Sequence, residues 1–162
     1  AASAAAAGEG GDDEGRDQLV PVSPMPEHRR TSLHKYTLEQ YAKERFALES
    51  RGLFGKALDI KSITSWQKKK LDQPLHRGLD DKETEEALEN FSDILVFMGD
   101  RKGSKEKPTY MEVVGAMLER GLHGSEKLRD EIWAQLCKQT RYNPKTASQT
   151  LGWQLICVCS GE

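Results

Sequence analysis

Between Thr37 and Ser148 a helix-capping residue repeatedly stands just ahead of apolar residues spaced three and four apart. No stretch sustains the strict alternation of a half-buried strand. Thr37-x-x-Gln40 is a capping-box pattern ahead of Leu38, Tyr41, Ala42 and Phe46. Asp80-x-x-Glu83 precedes Ala87, Leu88, Phe91, Ile94, Leu95 and Met98, and Thr109-x-x-Glu112 precedes Val113, Val114, Met117 and Leu118, with Gly121 as the expected C-cap. Ser125 precedes Leu128, Ile132, Trp133, Leu136 and Cys137, and Ser148 precedes Leu151, Leu155, Ile156 and Cys159. Five amphipathic helices follow from this, with an irregular stretch over Gly52–Gly78 that carries a short helix near Ser62–Trp66. The expected fold is all-α, a compact bundle of five or more helices. Helix and loop lengths differ too much for an internal repeat.

Ahead of this domain lies AASAAAAGEGGDDEGRDQ, a run of Ala, Gly and acid that has nothing to bury. Residues 1–31 are expected to be a disordered Ala/Gly/acidic and Pro-containing tail, and residues 32–162 the helical domain. The tail also hides the domain's charge. The whole chain carries a formal net charge of −2, yet five acids and one arginine fall before residue 27, which leaves the remainder slightly basic. A balance this close to neutral argues against bulk attraction to nucleic acid. No apolar run approaches the ~18 residues that a membrane span needs. No signal-peptide pattern opens the chain, which lacks an initiator Met and reads as a piece of a longer protein. An odd count of three cysteines points to a reducing, cytoplasmic setting.

A search for chemistry finds none. Cys157 and Cys159 are two apart on an expected helix and point to different sides, Cys137 has no CxxC partner, and all three read as core residues. His28, His34, His76 and His123 fall in the tail or in loops, and none forms an i, i+4 pair with a second ligand, so no metal site is expected. Gly99-Asp100-Arg101-Lys102-Gly103-Ser104-Lys105 superficially resembles a phosphate loop. It has one spacer too few, reverses Ser and Lys, and follows a helix where a strand is needed. Asn90-Phe91-Ser92 fits a glycosylation triplet but falls inside a helix. No nucleophile lies near a base and no carboxylate pair stands in an apolar setting. Neither catalysis nor a cofactor is expected.

What remains is charge. Lys61, Lys68, Lys69 and Lys70 form one basic segment around Trp66, with no acid between Lys61 and Lys70. Arg101, Lys102, Lys105 and Lys107 form a second, interrupted only by Glu106. Any one of these side chains alone reads as a solvated cation. As two clusters in loops of a near-neutral domain they make a candidate patch for an acidic partner, with filament surfaces, anionic lipid heads and nucleic acid all qualifying.

Three longer motifs are more specific. Ile94–Asp100 reads IL-x-[YF]-MGD, Leu128–Thr140 reads LRDE-I-[aromatic]-x-QLCKQT, and Gly152–Cys159 reads GW-x-L-[LI]-x-x-C, with Cys157 inside it. Ser62-Ile63-Thr64-Ser65-Trp66 and Pro74-Leu75 add two shorter elements. In order and spacing the chain resembles the myosin tail homology 4 (MyTH4) domain over roughly Leu38 to Cys159. Gly52-Leu53-Phe54-Gly55-Lys56 is most similar to the subgroup associated with Rho GTPase-activating proteins. The resemblance implies a compact helical bundle found in tails of unconventional myosins and some kinesins, usually beside a FERM domain. It implies a non-catalytic interaction module of the cytoplasm and cytoskeleton, with microtubules (tubulin) as partner through basic surface residues. An alternative is packing on an adjacent FERM or Rho GAP domain to form a surface for cargo or regulation. The family's helices beyond the GW helix are missing here, so an uncovered apolar face is expected near the end of the chain.

Within the LRDE helix, Leu128, Ile132 and Leu136 form one stripe, and Arg129, Trp133 and Cys137 the adjacent one. Burial of both would wedge this helix between neighbours. Arg129 would then need a carboxylate, and Asp100 is the expected partner. Trp66 and Trp153 are expected in the core, so Asp100, Arg129 and Trp153 read as structural.

Overall fold

The computed structural model describes residues 37–49, 57–101 and 109–161. The expected tail over 1–31, the Gly52–Lys56 motif, and Lys102, Lys105 and Lys107 lie outside the described residues. Six helices occupy the described part: α1 (Leu38–Arg45), α2 (Ile60–Ile63), α3 (Asp81–Phe97), α4 (Tyr110–His123), α5 (Glu126–Thr140) and α6 (Thr146–Ser160). There is no named strand among the described residues, only isolated bridges at Phe46–His76 and Glu49–Ala57.

The helix starts follow the capping chemistry. Asp80 and Glu83, and Thr109 and Glu112, close reciprocal capping boxes at the heads of α3 and α4. Thr37 and Ser125 accept from the amides of Gln40 and Leu128. Two expected boundaries move. Helix α4 does not stop at Gly121 but runs to His123, because Gly124 is the residue whose missing side chain the turn requires. A Cβ there would lie 2.5 Å from the Arg120 carbonyl oxygen and 2.6 Å from Leu128 Cδ2. Ser148 caps nothing. Helix α6 starts at Thr146 with no side-chain cap, and Ser148 points inward from its first turn to donate to Asp100.

Helix α5 sits at the centre, packed on α1, α3, α4 and α6. Its Leu128, Ile132 and Leu136 join Ala87, Ile94 and Met98 of the α3 segment, Val114 and Met117 of α4, and Leu155 of α6 in the main core. Ala42, Phe46, Leu75 and Ala134 form a second, smaller core under α1. Helix α6 approaches closely at Gly152, where a Cβ would lie 2.7 Å from Thr140 Cγ2 and 2.8 Å from Met98 Cε. That contact explains the glycine of the GW motif. Gly152→Ala is expected to lower stability by about 1–3 kcal/mol through overpacking, measurable by urea denaturation.

The expected second apolar stripe of α5 is not buried. Arg129, Trp133 and Cys137 are exposed, Trp133 by 37%. The buried positions are instead Glu131, Gln135, Lys138 and Gln139. The neighbour on that side is irregular backbone between Ser62 and His76, whose amides and carbonyls need polar partners that apolar side chains cannot supply. Trp153 is likewise 54% exposed rather than in the core. Gly152 and Leu155 take the inward positions of α6, which turns Trp153 and Gln154 between them outward. Cys137 and Cys157 are exposed and Cys159 is half-buried, so the core reading of the cysteines fails for the first two.

Candidate interaction surface

The site is built where α3 ends. Gly99 adopts φ 70°, a conformation that L side chains rarely accept. The amide of Gly99 donates to Val96 O at 3.1 Å and that of Asp100 to Leu95 O at 2.9 Å, a Schellman stop. This reversal turns Asp100 inward, where it is 2% exposed. Its carboxylate accepts from Trp66 Nε1 at 2.7 Å, Ser148 Oγ at 2.8 Å and Lys145 Nζ at 3.2 Å. Lys145 Nζ also lies 5.8 Å from the Trp66 ring centroid.

Asp100 therefore does not pair with Arg129. Arg129 is exposed and donates to Gly124 O at 3.0 Å, where it satisfies a carbonyl at the end of α4. The positive partner of Asp100 is Lys145, which the sequence reading did not single out. The Asn143-Pro144 that precedes it was the available signal: a turn there brings the next residue back toward the end of α3.

The Trp66–Asp100 bond joins the middle of one basic segment to the foot of the other. Lys61, Lys68, Lys69, Lys70 and Arg101 are all exposed. The first segment is held rigidly. Gln67 N donates to Gln139 Oε1, and Gln139 Nε2 returns a bond to Gln67 O, each at 3.0 Å. Gln67 Nε2 donates to Lys69 O at 2.8 Å and shapes the lysine turn. Trp66 N donates to Arg141 O at 2.9 Å.

Lys138 braces the same segment from below. Its side chain is fully buried, and Nζ donates to Ser65 O at 2.5 Å and Ser62 O at 3.3 Å at the end of α2. Burial pushes its pKa down to about 8. Between about pH 8 and the ordinary lysine value the unfolded chain binds a proton that the folded chain does not, so stability from this group rises with pH across that window. The gain is at most about 3 kcal/mol, since the two carbonyls favour the charged form. Urea titrations at either end of the window are expected to show this rise in the wild type, and Lys138→Met is expected to abolish it.

A second buried polar group fixes the rest of the irregular stretch. Glu131 accepts from Leu75 N at 2.9 Å, His76 N at 2.7 Å and Gln135 Nε2 at 2.7 Å, and pairs with His76 Nδ1 at 2.7 Å. His76 Nε2 lies 2.8 Å from Tyr41 Oη. Gln135 links on to Ala87 O and to Asn90 Nδ2. Asn90 is thus a fully buried network member, which removes the glycosylation triplet from consideration. Arg141 clamps Glu39 through both terminal guanidinium nitrogens, and this hydrogen-bonded pairing holds the Glu39 carboxyl below its ordinary pKa.

Among the described residues no cluster of three or more His, Cys, Asp or Glu is placed to hold a metal ion, and no helix is long and apolar enough to cross a membrane. What the fold defines among the described residues is an all-helical domain.

Comparison with known proteins agrees. A family model for the MyTH4 domain matches residues 115–162. Myosin-VIIa of Drosophila melanogaster is 34% identical over 133 residues, covering 78% of this chain and 6% of that protein. Kinesin-like protein KIN-14E of Arabidopsis thaliana is 33% identical over 80 residues, covering 47% of this chain and 6% of that protein. Among solved structures, the myosin VII MyTH4-FERM MF2 domain of Dictyostelium discoideum superposes with a TM-score of 0.64 at 30% identity, covering 76% of this chain and 26% of that one. The human myosin 7b C-terminal MyTH4-FERM domain in complex with the harmonin-a PDZ3 domain gives a TM-score of 0.62 at 29% identity, covering 77% and 24%. The chain thus spans only a small part of the curated relatives it matches. It carries a MyTH4 domain, a non-catalytic interaction domain, with relatives among the myosins and kinesin-like proteins.

Proposed function

We propose that this domain docks on the acidic surface of microtubules in the cytoplasm through Lys61, Lys68, Lys69, Lys70 and Arg101, and that Lys102, Lys105 and Lys107 add to the attraction. The observation that carries this reading is the Trp66–Asp100 bond, which holds the foot of one basic loop against the middle of the other. Charges fixed in one place attract an anionic polymer more effectively than the same charges scattered over a near-neutral surface. Attraction of this kind weakens as salt shortens the screening length. Three exposed cations in contact with carboxylates contribute on the order of 1–2 kcal/mol together, so Lys68/Lys69/Lys70→Ala is expected to weaken binding about tenfold. Co-sedimentation with taxol-stabilised microtubules at rising salt tests it. Equal pelleting of wild type and triple variant would remove the lysine turn from the interface.

A second reading is favoured by the exposed apolar side chains. Trp153 on α6 and Met111 and Leu122 on α4 are 54%, 72% and 77% exposed. Exposed side chains of this kind suit close packing of a neighbouring domain, FERM or Rho GAP, with a joint surface for cargo. A FERM or Rho GAP domain packed there is expected to protect those side chains from solvent, readable as a blue shift of tryptophan emission that Trp153→Phe removes.

A further inference from the structure

A groove lies between α1 and α5, away from the Asp100 junction. Its volume is about 460 Å³, and Leu38 and Tyr41 of α1 and Trp133 and Ala134 of α5 line it, with Glu44 and Asp130 among its polar residues. Trp133 is 37% exposed there, although Ile132 and Ala134 on either side of it are buried. None of the residues lining the groove is basic. Neither the Asp130 nor the Glu44 carboxylate forms an ion pair among the described residues.

We propose that this groove receives a basic peptide segment of a partner protein, with an Arg or Lys side chain laid on the Trp133 indole between Asp130 and Glu44, and a flanking apolar side chain against Leu38 and Ala134. The assignment rests on charge and shape together. A tryptophan face attracts a cation, and the two carboxylates add to that attraction. A purely apolar occupant would strip water from both carboxylates and leave them unpaired, and an acidic one would be repelled. A second copy of this chain meeting groove to groove would bring four carboxylates together without a cation between them. The occupant that satisfies every lining group is therefore cationic and partly apolar. The groove asks for the opposite charge from the lysine-rich loops, so this site stands or falls independently of microtubule docking.

The probe is the capped peptide Ac-Arg-Leu-Arg-Leu-Arg-amide, with its citrulline analogue as the uncharged control. Both are titrated into the whole chain while the indole N–H signals of its three tryptophans are followed by NMR. The expected result is a shift of the Trp133 signal with the arginine peptide, no shift with the citrulline peptide, and stationary Trp66 and Trp153 signals. Asp130→Asn combined with Glu44→Gln is expected to weaken the peptide about tenfold, and Trp133→Ala at least as much. The carboxylate variant alters surface groups, and an unchanged circular dichroism spectrum confirms that it folds. The proposal is overturned by equal response to the two peptides, by shifts confined to Trp66 or Trp153, by no titration, or by affinity that ignores both variants. Self-association that Trp133→Ala abolishes would assign the groove to a second copy and overturn it as well.

Discussion

Glu131→Ala is expected to destabilise the domain by about 3–5 kcal/mol, a large share of what a domain of this size possesses. The carboxylate is fully buried and serves two backbone amides, one imidazole and one glutamine amide. Its removal leaves the Leu75 and His76 amides facing a cavity, and no other acceptor on α5 reaches them. Buried donors without an acceptor each cost about 1–3 kcal/mol. Glu131→Gln is expected to fall between wild type and alanine, because one amide oxygen replaces two carboxylate oxygens while the new N–H₂ group confronts existing donors. Urea denaturation midpoints of the three proteins give the order. Near-wild-type stability for Glu131→Ala would mean that the Leu75–His76 stretch finds other partners, and that the polar face of α5 is not what holds it.

The same residue marks how far the sequence could be read. Helix starts were legible because a capping residue and its N3 partner are local: Asp80 with Glu83 and Thr109 with Glu112 need no knowledge of the rest of the fold. The Leu128, Ile132 and Leu136 stripe was legible for a similar reason, since apolar periodicity reports a face directly. The opposite error arose beside it. Glu131, Gln135 and Lys138 follow the same spacing, and a pattern rule assigns them to water. They are buried because the adjacent element is an irregular strand of backbone between Ser62 and His76, and a helix facing bare amides and carbonyls must offer donors and acceptors. Which element lies alongside is a tertiary fact that periodicity does not encode. Trp133 and Trp153 failed in the complementary way: a large aromatic side chain suggests a core, but the inward positions of their helices were already taken by Ile132 and Leu136, and by Gly152 and Leu155. Of the candidate surface, the two basic segments were visible as charge runs. Their junction was not, because it depends on Asp100 being turned inward by a left-handed glycine and met by Lys145 from a turn forty-five residues on.

Asp100→Ala is the second substitution with a large expected effect, about 2–4 kcal/mol, because it leaves the Trp66 indole N–H and the Ser148 hydroxyl without their acceptor, while the exposed Lys145 ammonium turns to water. Asp100→Asn retains an acceptor and is expected to recover part of the loss. Double-mutant cycles separate this junction from the Arg129 pairing that the sequence suggested. Trp66→Phe against Asp100→Ala is expected to show coupling of about 1.5–3 kcal/mol, the range for a hydrogen bond to a charged group. Arg129→Ala against Asp100→Ala is expected to show coupling near zero, since Arg129 bonds the end of α4 instead. The cycle also bears on docking. Trp66→Phe keeps every lysine and removes only the bond that positions them. If the patch acts as a fixed array, this variant should bind microtubules more weakly than wild type at equal net charge. If pelleting is unchanged, the lysines act as independent charges and the Trp66–Asp100 bond serves the fold alone.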